Sequence, residues 1–257
     1  MLARPHEPRE ESEPHTRILR VTLEADNARE YWRHSQAHTP TANRVEQAFT
    51  GYWFGERSMP RIRTLLANFD RRFAAFPAAL AALHMWSNID GETRRVLCHW
   101  HVQLADPIYR AFAGDFCAER REGGRPLTRD LVLRWVRKLD TAERWSATTQ
   151  AQFASKLLSC AYAAGLVETR RDPRRLQTPR VTPGALGYLL HALRTISIRG
   201  TLYDNPYLRS VGLVGTMLDA RMRTLPGISI RRAGGLVELE FEHPTAVAWV
   251  RATQGTP

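Results

Sequence analysis

The chain has 257 residues, 43% of them hydrophobic and 25% charged, which is typical of a globular protein that buries a substantial core. Its net charge of +11 and pI near 10.4 favour a polyanionic partner, either nucleic acid or an acidic membrane surface. All but two of the 37 basic residues are arginines, and guanidinium groups bind phosphate in bidentate fashion.

The cysteines and the apolar runs argue against a disulfide-rich secreted protein and against a membrane protein. Cys98, Cys117 and Cys160 form no CxxC pair, so we expect no disulfide framework and a reducing, cytoplasmic setting. The N-terminal stretch lacks the apolar core of a signal peptide. The most apolar run, Phe73–Trp86, is shorter than the ~20 residues that a membrane span needs. Because this run contains Pro77, we predict a buried helix pair that is broken at the proline.

The first half of the chain divides into an arm and a helical domain. Residues 1–44 are rich in Pro, Glu, His and Arg, which predicts a mostly flexible, mildly acidic arm. Residues 45–122 show helical periodicity and predict a helical bundle, with helices near Glu92–Leu104 and Pro107–Glu122. The glycines and the proline of Arg121–Pro126 then predict a domain boundary.

Residues 125–183 have the element order of a winged helix-turn-helix domain. Thr128 is a candidate cap for a helix with one apolar stripe that contains Trp135. After a short turn, a second helix is expected over Ala147–Ala164, ending at Gly165. Two extended runs separated by a charged turn follow, as in a wing.

Residues 184–257 predict a small C-terminal α+β region. We expect helices over Tyr188–Ile196 and Tyr207–Arg223. The segment Gly227–Phe241 alternates apolar and acidic residues after two glycines and therefore predicts a β-hairpin. The predicted fold class is mainly α: a helical bundle, a winged helix-turn-helix and an α+β portion with a hairpin.

The polar side of the helix that begins after Ser146 is the candidate DNA-binding surface. It carries short hydrogen-bonding groups, which allow a helix to enter a major groove. The candidate contacts on this helix are Thr148, Thr149, Gln152, Lys156 and Ser159. The candidate contacts on the following wing are Arg170, Arg171, Arg174, Arg175 and Arg180. A basic wing beside such a helix suits a duplex backbone.

Two other functions are compatible with these residues. Solvated helix faces are often rich in Thr, Ser and Gln, and winged helices also dock proteins, so a protein-docking adaptor is one alternative. The other is RNA binding through the bundle, whose helix after Ser58 is expected to expose four arginines. These are Arg61, Arg63, Arg71 and Arg72.

No motif predicts catalysis. The sequence CHWH at 98–101 suggests a metal site, but Cys98 and His101 share one helix face while His99 points away from it. A second ligand pair at zinc spacing is absent from the sequence, and hydrogen-bonded histidines beside a partly buried cysteine are expected instead. Nucleotide-binding loops and hydrolase motifs are also absent from the sequence. We therefore expect a protein without catalytic residues, metal or cofactor.

Residues 45–250 resemble the BrxA family, which is encoded in BREX bacteriophage-exclusion gene clusters. The resemblance rests on SMPRIRTLLANFDRRFAAFPAAL, PIYRAFAGDF, LTRDLVLRWVRKL and RWSATTQAQFASKLLSCAYAAGLV, in this order. It implies a mainly helical protein with a bundle similar to the NusB-type antitermination fold and a winged-helix portion. It also implies binding to double-stranded DNA without known catalysis, in a cytoplasmic system that includes a DNA methyltransferase and large ATPases as possible partners.

The resemblance also assigns expectations to three residues at the start of the candidate helix. Trp145, Ser146 and Thr149 would match the family's tryptophan and its Ser/Thr helix start. We expect Trp145 to be a packing anchor and Ser146 a helix cap. The hypothesis is a non-enzymatic accessory protein that binds duplex DNA with low sequence specificity. Phosphate contacts should dominate, because the candidate helix offers no Arg or Asn for bidentate base reading.

Overall fold

The computed structural model describes residues 8–35, 41–233 and 236–254. In these ranges the chain is mainly helical, and one two-stranded antiparallel sheet lies near the C-terminus. None of the helices found there is long and apolar enough to cross a membrane.

The first half of the chain folds into packed helices. They are α1 Ala25–His34, α2 Thr41–Thr50, α3 Met59–Phe69, α4 Pro77–Met85, α5 Gly91–Ala105, α6 Pro107–Ala111 and α7 Ala118–Glu122. A π-helical segment, Asp70–Ala74, extends α3, and another, Phe112–Cys117, joins α6 to α7. The predicted break at Pro77 is confirmed, since α4 begins there with the proline in its first turn.

Helix α5 runs through the interior and carries buried polar groups, most of which are hydrogen-bonded. The ring of His99 lies 2.9 Å from the hydroxyls of Tyr109 and Ser210 through its two nitrogens. The ring of His101 lies 2.6 Å from the Arg72 carbonyl and 2.7 Å from the Tyr188 hydroxyl. The expected hydrogen-bonded histidines are therefore confirmed. The exceptions in the described part of α5 are the Nε of Arg94 and the side-chain oxygen of Gln103.

Burial sets the protonation of these groups. It lowers the pKa of His99 to about 3 and that of His101 to about 4, because the charged imidazolium loses its hydration. The thiol of Cys98 is fully buried, not partly as expected, and its pKa is raised to about 12 for the same reason.

The predicted flexible arm is wrong for residues 8–35. Ile18, Val21 and Trp32 are buried in the core, and residue 9 forms a parallel β-bridge with residue 197. The backbone of this segment is also held, because Arg110 of α6 donates to the Glu11 carbonyl over 2.7 Å. The few apolar side chains of this segment are enough to hold it on the core, because each of them is enclosed by other elements. Residues 1–7 and 36–40 of the predicted arm lie outside the described residues.

The N-terminal segment, residues 8–35, also covers part of the predicted RNA-binding surface. Arg72 is buried and donates to the carbonyls of Val21 and Thr22, each over 2.6 Å. Arg61 pairs with Glu24 at 2.8 Å. The prediction of four exposed arginines is therefore wrong for Arg72, which is buried, and for Arg61, which is half-buried. Arg63 and Arg71 are exposed.

The second half of the chain contains further helices and the sheet. They are α8 Arg129–Arg137, α9 Ala147–Ala163, α10 Pro183–Leu193, α11 Pro206–Ser210, α12 Gly215–Met222, β1 Ile228–Ala233, β2 Leu236–Phe241 and α13 Ala246–Thr253. Helix α10 starts earlier than predicted because Thr182 caps it by accepting the N–H of Ala185. The single helix predicted over Tyr207–Arg223 is wrong, since Gly212 adopts a φ of +73° and the chain leaves the helix there.

The predicted β-hairpin is confirmed. Strands β1 and β2 pair antiparallel, with Ile228 opposite Phe241 and Ile230 opposite Leu239. Leu239 and Phe241 pack against the core, whereas Glu238 is exposed. The alternation of apolar and acidic residues sets this register, because a shift by one residue would exchange the two faces.

One hydrophobic core extends through all of these regions. Its buried members come from the N-terminal segment, the bundle, the 125–183 region and the C-terminal region. The predicted boundary at Arg121–Pro126 is an exposed turn, but the core is continuous on both sides of it. Close packing depends on Gly187, where a Cβ would lie 2.2 Å from the ring of Trp249.

Candidate nucleic-acid interface

Helix α8 is anchored to the bundle. Its first turn is capped by Thr128, whose hydroxyl accepts the N–H of Leu131 over 3.2 Å, as predicted. The ring of Trp135 lies 5.4 Å from that of Phe116 and 5.6 Å from that of Phe112. These aromatic contacts fix the orientation of α8 on the segment that joins α6 to α7.

A short 3-10 turn, Asp140–Arg144, leads into α9. The Ser146 hydroxyl accepts the N–H of Thr149 over 3.1 Å, and the ring of Trp145 lies 4.8 Å from that of Phe153. The expected roles of Ser146 as a cap and Trp145 as a packing residue are confirmed.

Helix α9 has the two different sides that its sequence predicts. The apolar side is buried and contacts α8 and the N-terminal segment at Arg17–Leu19. Its members are Phe153, Ala154, Leu157, Leu158 and Ala161. On the polar side, Thr148, Gln152 and Ser159 are exposed, while Thr149 and Lys156 are half-buried.

Beside α9, three short extended stretches, at Leu127, at Val167 and at residues 174–176, are joined by isolated β-bridges. Leu127 forms an antiparallel bridge with Arg174, and Val167 forms another with Leu176. The N–H of Leu127 donates to the Arg174 carbonyl over 2.9 Å, and the reverse bond spans 2.8 Å. The pairing leaves residues 169–173 as a turn, here called the basic turn, which begins Thr169-Arg170-Arg171.

Arg174 holds the basic turn against α8. Its guanidinium pairs with Asp172 and also donates to the Arg170 carbonyl over 2.7 Å. The second carboxylate oxygen of Asp172 accepts the N–H of Arg129 over 2.8 Å. Only 12% of the Arg174 side chain is exposed, and this burial lowers its pKa. Arg174 therefore stabilises the turn, and its charge is compensated by Asp172.

The other predicted wing arginines differ in their surroundings. The guanidinium of Arg170 lies 4.7 Å from the centre of the Tyr162 ring. Arg171 and Arg175 are exposed, and within the described ranges no carboxylate pairs with them or with Arg170. Arg180 is also exposed, but it lies 3.6 Å from Glu92 of α5.

A groove of about 500 Å³ lies between α9, the basic turn and the N-terminal segment. This α9 groove brings together four of the predicted contacts, which are Lys156, Ser159, Arg170 and Arg174. The other six predicted contacts do not line it. Three of these, Thr148, Thr149 and Gln152, belong to the first two turns of α9.

Two further residues of the α9 groove were missed by the sequence analysis. Arg129 donates from Nε to the Ser155 hydroxyl over 3.2 Å, and this contact joins α8 to α9. No sequence signal relates these positions, because they meet only when the helices pack. Tyr162 follows Ser159 by three residues, so helical spacing could have placed it on the same face.

The chemistry of the α9 groove favours an anionic ligand. Arg129, Lys156 and Arg170 supply cationic groups, and Thr22, Ser155 and Ser159 supply hydroxyls. Among the residues described as lining the groove, none carries a carboxylate. Guanidinium, ammonium and hydroxyl groups together are suited to phosphate oxygens.

Comparison with known proteins identifies the fold alone. No protein-family model matches this sequence, and no curated protein matches it. A crystal structure of an uncharacterized protein from Magnetospirillum magneticum is similar to this chain with a TM-score of 0.58 and 11% sequence identity. The similarity covers 78% of this chain and 98% of that one. The helical architecture therefore occurs in a second protein.

Proposed function

We propose that this protein is a non-enzymatic accessory protein that binds double-stranded DNA in a BREX-type phage-defence system. The observation that carries the proposal is the α9 groove, where polar groups of α9 lie beside Arg129, Arg170 and Arg174, and none of the described lining residues carries a carboxylate. Such a surface attracts the phosphate backbone of DNA.

The order of elements supports a winged helix-turn-helix. The paired stretch at Leu127 precedes α8 and α9, and the basic turn follows between two further paired stretches. In domains of this kind the second helix enters the major groove, while neighbouring elements contact the backbone. The exposed residues Thr148 and Gln152 give the start of α9 short polar groups that fit this role.

Low sequence specificity follows from the residue types. The predicted contacts on α9 include no Arg or Asn, which are the usual bidentate readers of guanine and adenine. The exposed cations Arg170, Arg171 and Arg175 are suited to phosphates, which carry no sequence information directly. Contacts of DNA with Arg174 and Arg180 stay predictions. At each of these arginines a phosphate would compete with a carboxylate for the guanidinium.

The place in phage defence rests on the resemblance to the BrxA family over residues 45–250. That resemblance favours a NusB-type bundle, a cytoplasmic location and association with a DNA methyltransferase or ATPases of the same system. The three free cysteines, all buried, are compatible with a reducing compartment. The RNA alternative is weakened because Arg72 and Arg61 already bind groups of the N-terminal segment.

A titration of random-sequence duplex DNA, followed by fluorescence anisotropy, tests the proposal. Three or four phosphate contacts predict that affinity falls on the order of 100-fold between about 50 and about 200 mM salt, through counterion release. Only millimolar affinity for DNA, together with tight and salt-tolerant binding to a partner protein, would instead indicate a docking adaptor.

A charge-reversal variant locates the surface. Arg170, Arg171 and Arg175 are changed to Glu, and Arg174 is kept because it holds the basic turn. We expect duplex binding to be lost while the far-ultraviolet circular dichroism spectrum is unchanged. A control with the same change in net charge replaces exposed arginines away from the groove, namely Arg57, Arg63 and Arg223. Equal binding by the two variants would remove the basic turn from the proposal.

A further inference from the structure

Phosphate contacts account for Arg170 but not for the aromatic ring of Tyr162, whose centre lies 4.7 Å from that guanidinium. We propose that the α9 groove takes up a single unstacked nucleotide, so that the protein prefers DNA with a single-stranded extension over blunt duplex. This inference rests on the proposed DNA binding and names the form of DNA that the same site selects.

The shape of the groove supports a single strand. The groove is lined by residues of three different elements: Thr22 of the N-terminal segment, Lys156 and Ser159 of α9, and Arg170 of the basic turn. A volume of about 500 Å³ lies within the roughly 300–1,000 Å³ of clefts that enclose small molecules. A helix must protrude to enter a major groove about 12 Å wide. The second half of α9 shares this groove with the N-terminal segment and the basic turn, so other elements flank it and it does not protrude freely.

The cation–π pair of Arg170 and Tyr162 supplies a platform on which a base can stack. The Arg170 guanidinium lies 4.7 Å from the centre of the Tyr162 ring, and both side chains are exposed. A guanidinium plane that rests on a ring can stack a nucleobase on its other side. Bases inside a duplex already have neighbours on both faces. A terminal base pair has one free face but is held rigidly in the duplex, whereas an unpaired base can turn into the groove and extend this stack.

The groove also holds groups for the phosphate of that nucleotide. The Arg129 guanidinium is oriented by its 3.2 Å bond to Ser155, and Lys156 lines the same groove. The bonds of Asp172 to Arg129 and Arg174 fix the basic turn before any ligand binds. A preformed site of this kind loses little conformational entropy on binding. The exposed first half of α9 remains available for the adjoining duplex.

The test compares two DNA probes with the full chain at one salt concentration. One is a blunt duplex, and the other is the same duplex with a short thymidine overhang. We expect the overhang to bind roughly 5- to 150-fold more tightly, as stacking of one base predicts. Tyr162→Ala should abolish this difference, because it lowers affinity for the overhang probe far more than affinity for the blunt duplex, whereas Tyr162→Phe should retain the difference. Tyr52→Ala, which removes a tyrosine that is 66% exposed, is the control and should also retain it.

The outcomes separate this inference from the proposed function. Equal affinity of the wild-type protein for both probes would overturn the inference and leave duplex binding in place. An equal loss of affinity for both probes in Tyr162→Ala would overturn it as well, because the ring would then serve the duplex. Failure to bind either probe would overturn the proposed function itself.

Discussion

Arg72 shows how one buried cation joins two distant parts of the chain. Its guanidinium donates to the carbonyls of Val21 and Thr22, and burial lowers its pKa because the cation is removed from water. Thr22 also lines the α9 groove. Arg72 therefore stabilises both the fold and the shape of the candidate site.

Arg72→Met should lower the free energy of unfolding by roughly 3 kcal/mol, because two buried carbonyls lose their donor. The adjacent Arg71 is exposed, and Arg71→Met should change stability by less than about 0.5 kcal/mol. Urea denaturation of the two variants measures both effects. Similar losses in the two would show that the buried bonds contribute little.

At the scale of elements, the first turns of α9 separate folding from binding. Ser146 satisfies a backbone N–H of the helix, whereas Thr148, two positions later, is exposed and makes no such contribution. Trp145, just before the helix, packs against Phe153 on the buried side of α9. The geometry of the helix start is thus set by residues that are distinct from those proposed to meet DNA.

Ser146→Ala should destabilise the protein by about 1 kcal/mol, through loss of the cap. Thr148→Ala should leave stability unchanged but weaken DNA binding about 2- to 10-fold, as expected for loss of one neutral hydrogen bond. Thermal melts and anisotropy titrations of both variants test the separation. Unchanged DNA affinity in Thr148→Ala would exclude the first turn of α9 from the interface.

At the scale of the whole molecule, the continuous core contains uncharged histidines. His99 and His101 lie on α5 and contact Ser210 and Tyr188, which come from distant parts of the chain. Their pKa values of about 3 and about 4 lie below the value of about 6.5 that the unfolded chain has. Since the unfolded state then binds more protons, acid favours unfolding.

The stability that these two residues contribute is complete above about pH 6.5 and is lost as the pH falls toward about 4 for His101 and about 3 for His99. Between pH 7 and pH 5 the loss should be about 2 kcal/mol for each histidine. Urea denaturation at several pH values measures it. His101→Gln should reduce the dependence on pH, whereas Thr148→Ala, which changes no titratable group, should not. An equal dependence in both variants would assign the effect to other groups.

The features that the sequence predicted well depend on residues close in the chain. The caps at Thr128 and Ser146 lie three positions from the N–H groups that they accept, and the hairpin register follows from alternation within one short segment. Four of ten predicted contacts meet in one groove because they follow one another along α9 and the turn after it.

The sequence by itself determined the mainly helical class, the positions of α5, α8 and α9, the basic turn and the excess of arginine. Only the tertiary structure decided which arginines stay exposed and that the N-terminal segment lines part of the groove. Arg72 binds carbonyls 50 and 51 positions away, and Arg129 meets Ser155 across two helices. Helical periodicity extends over a few residues, whereas burial depends on which distant segments cover a side chain.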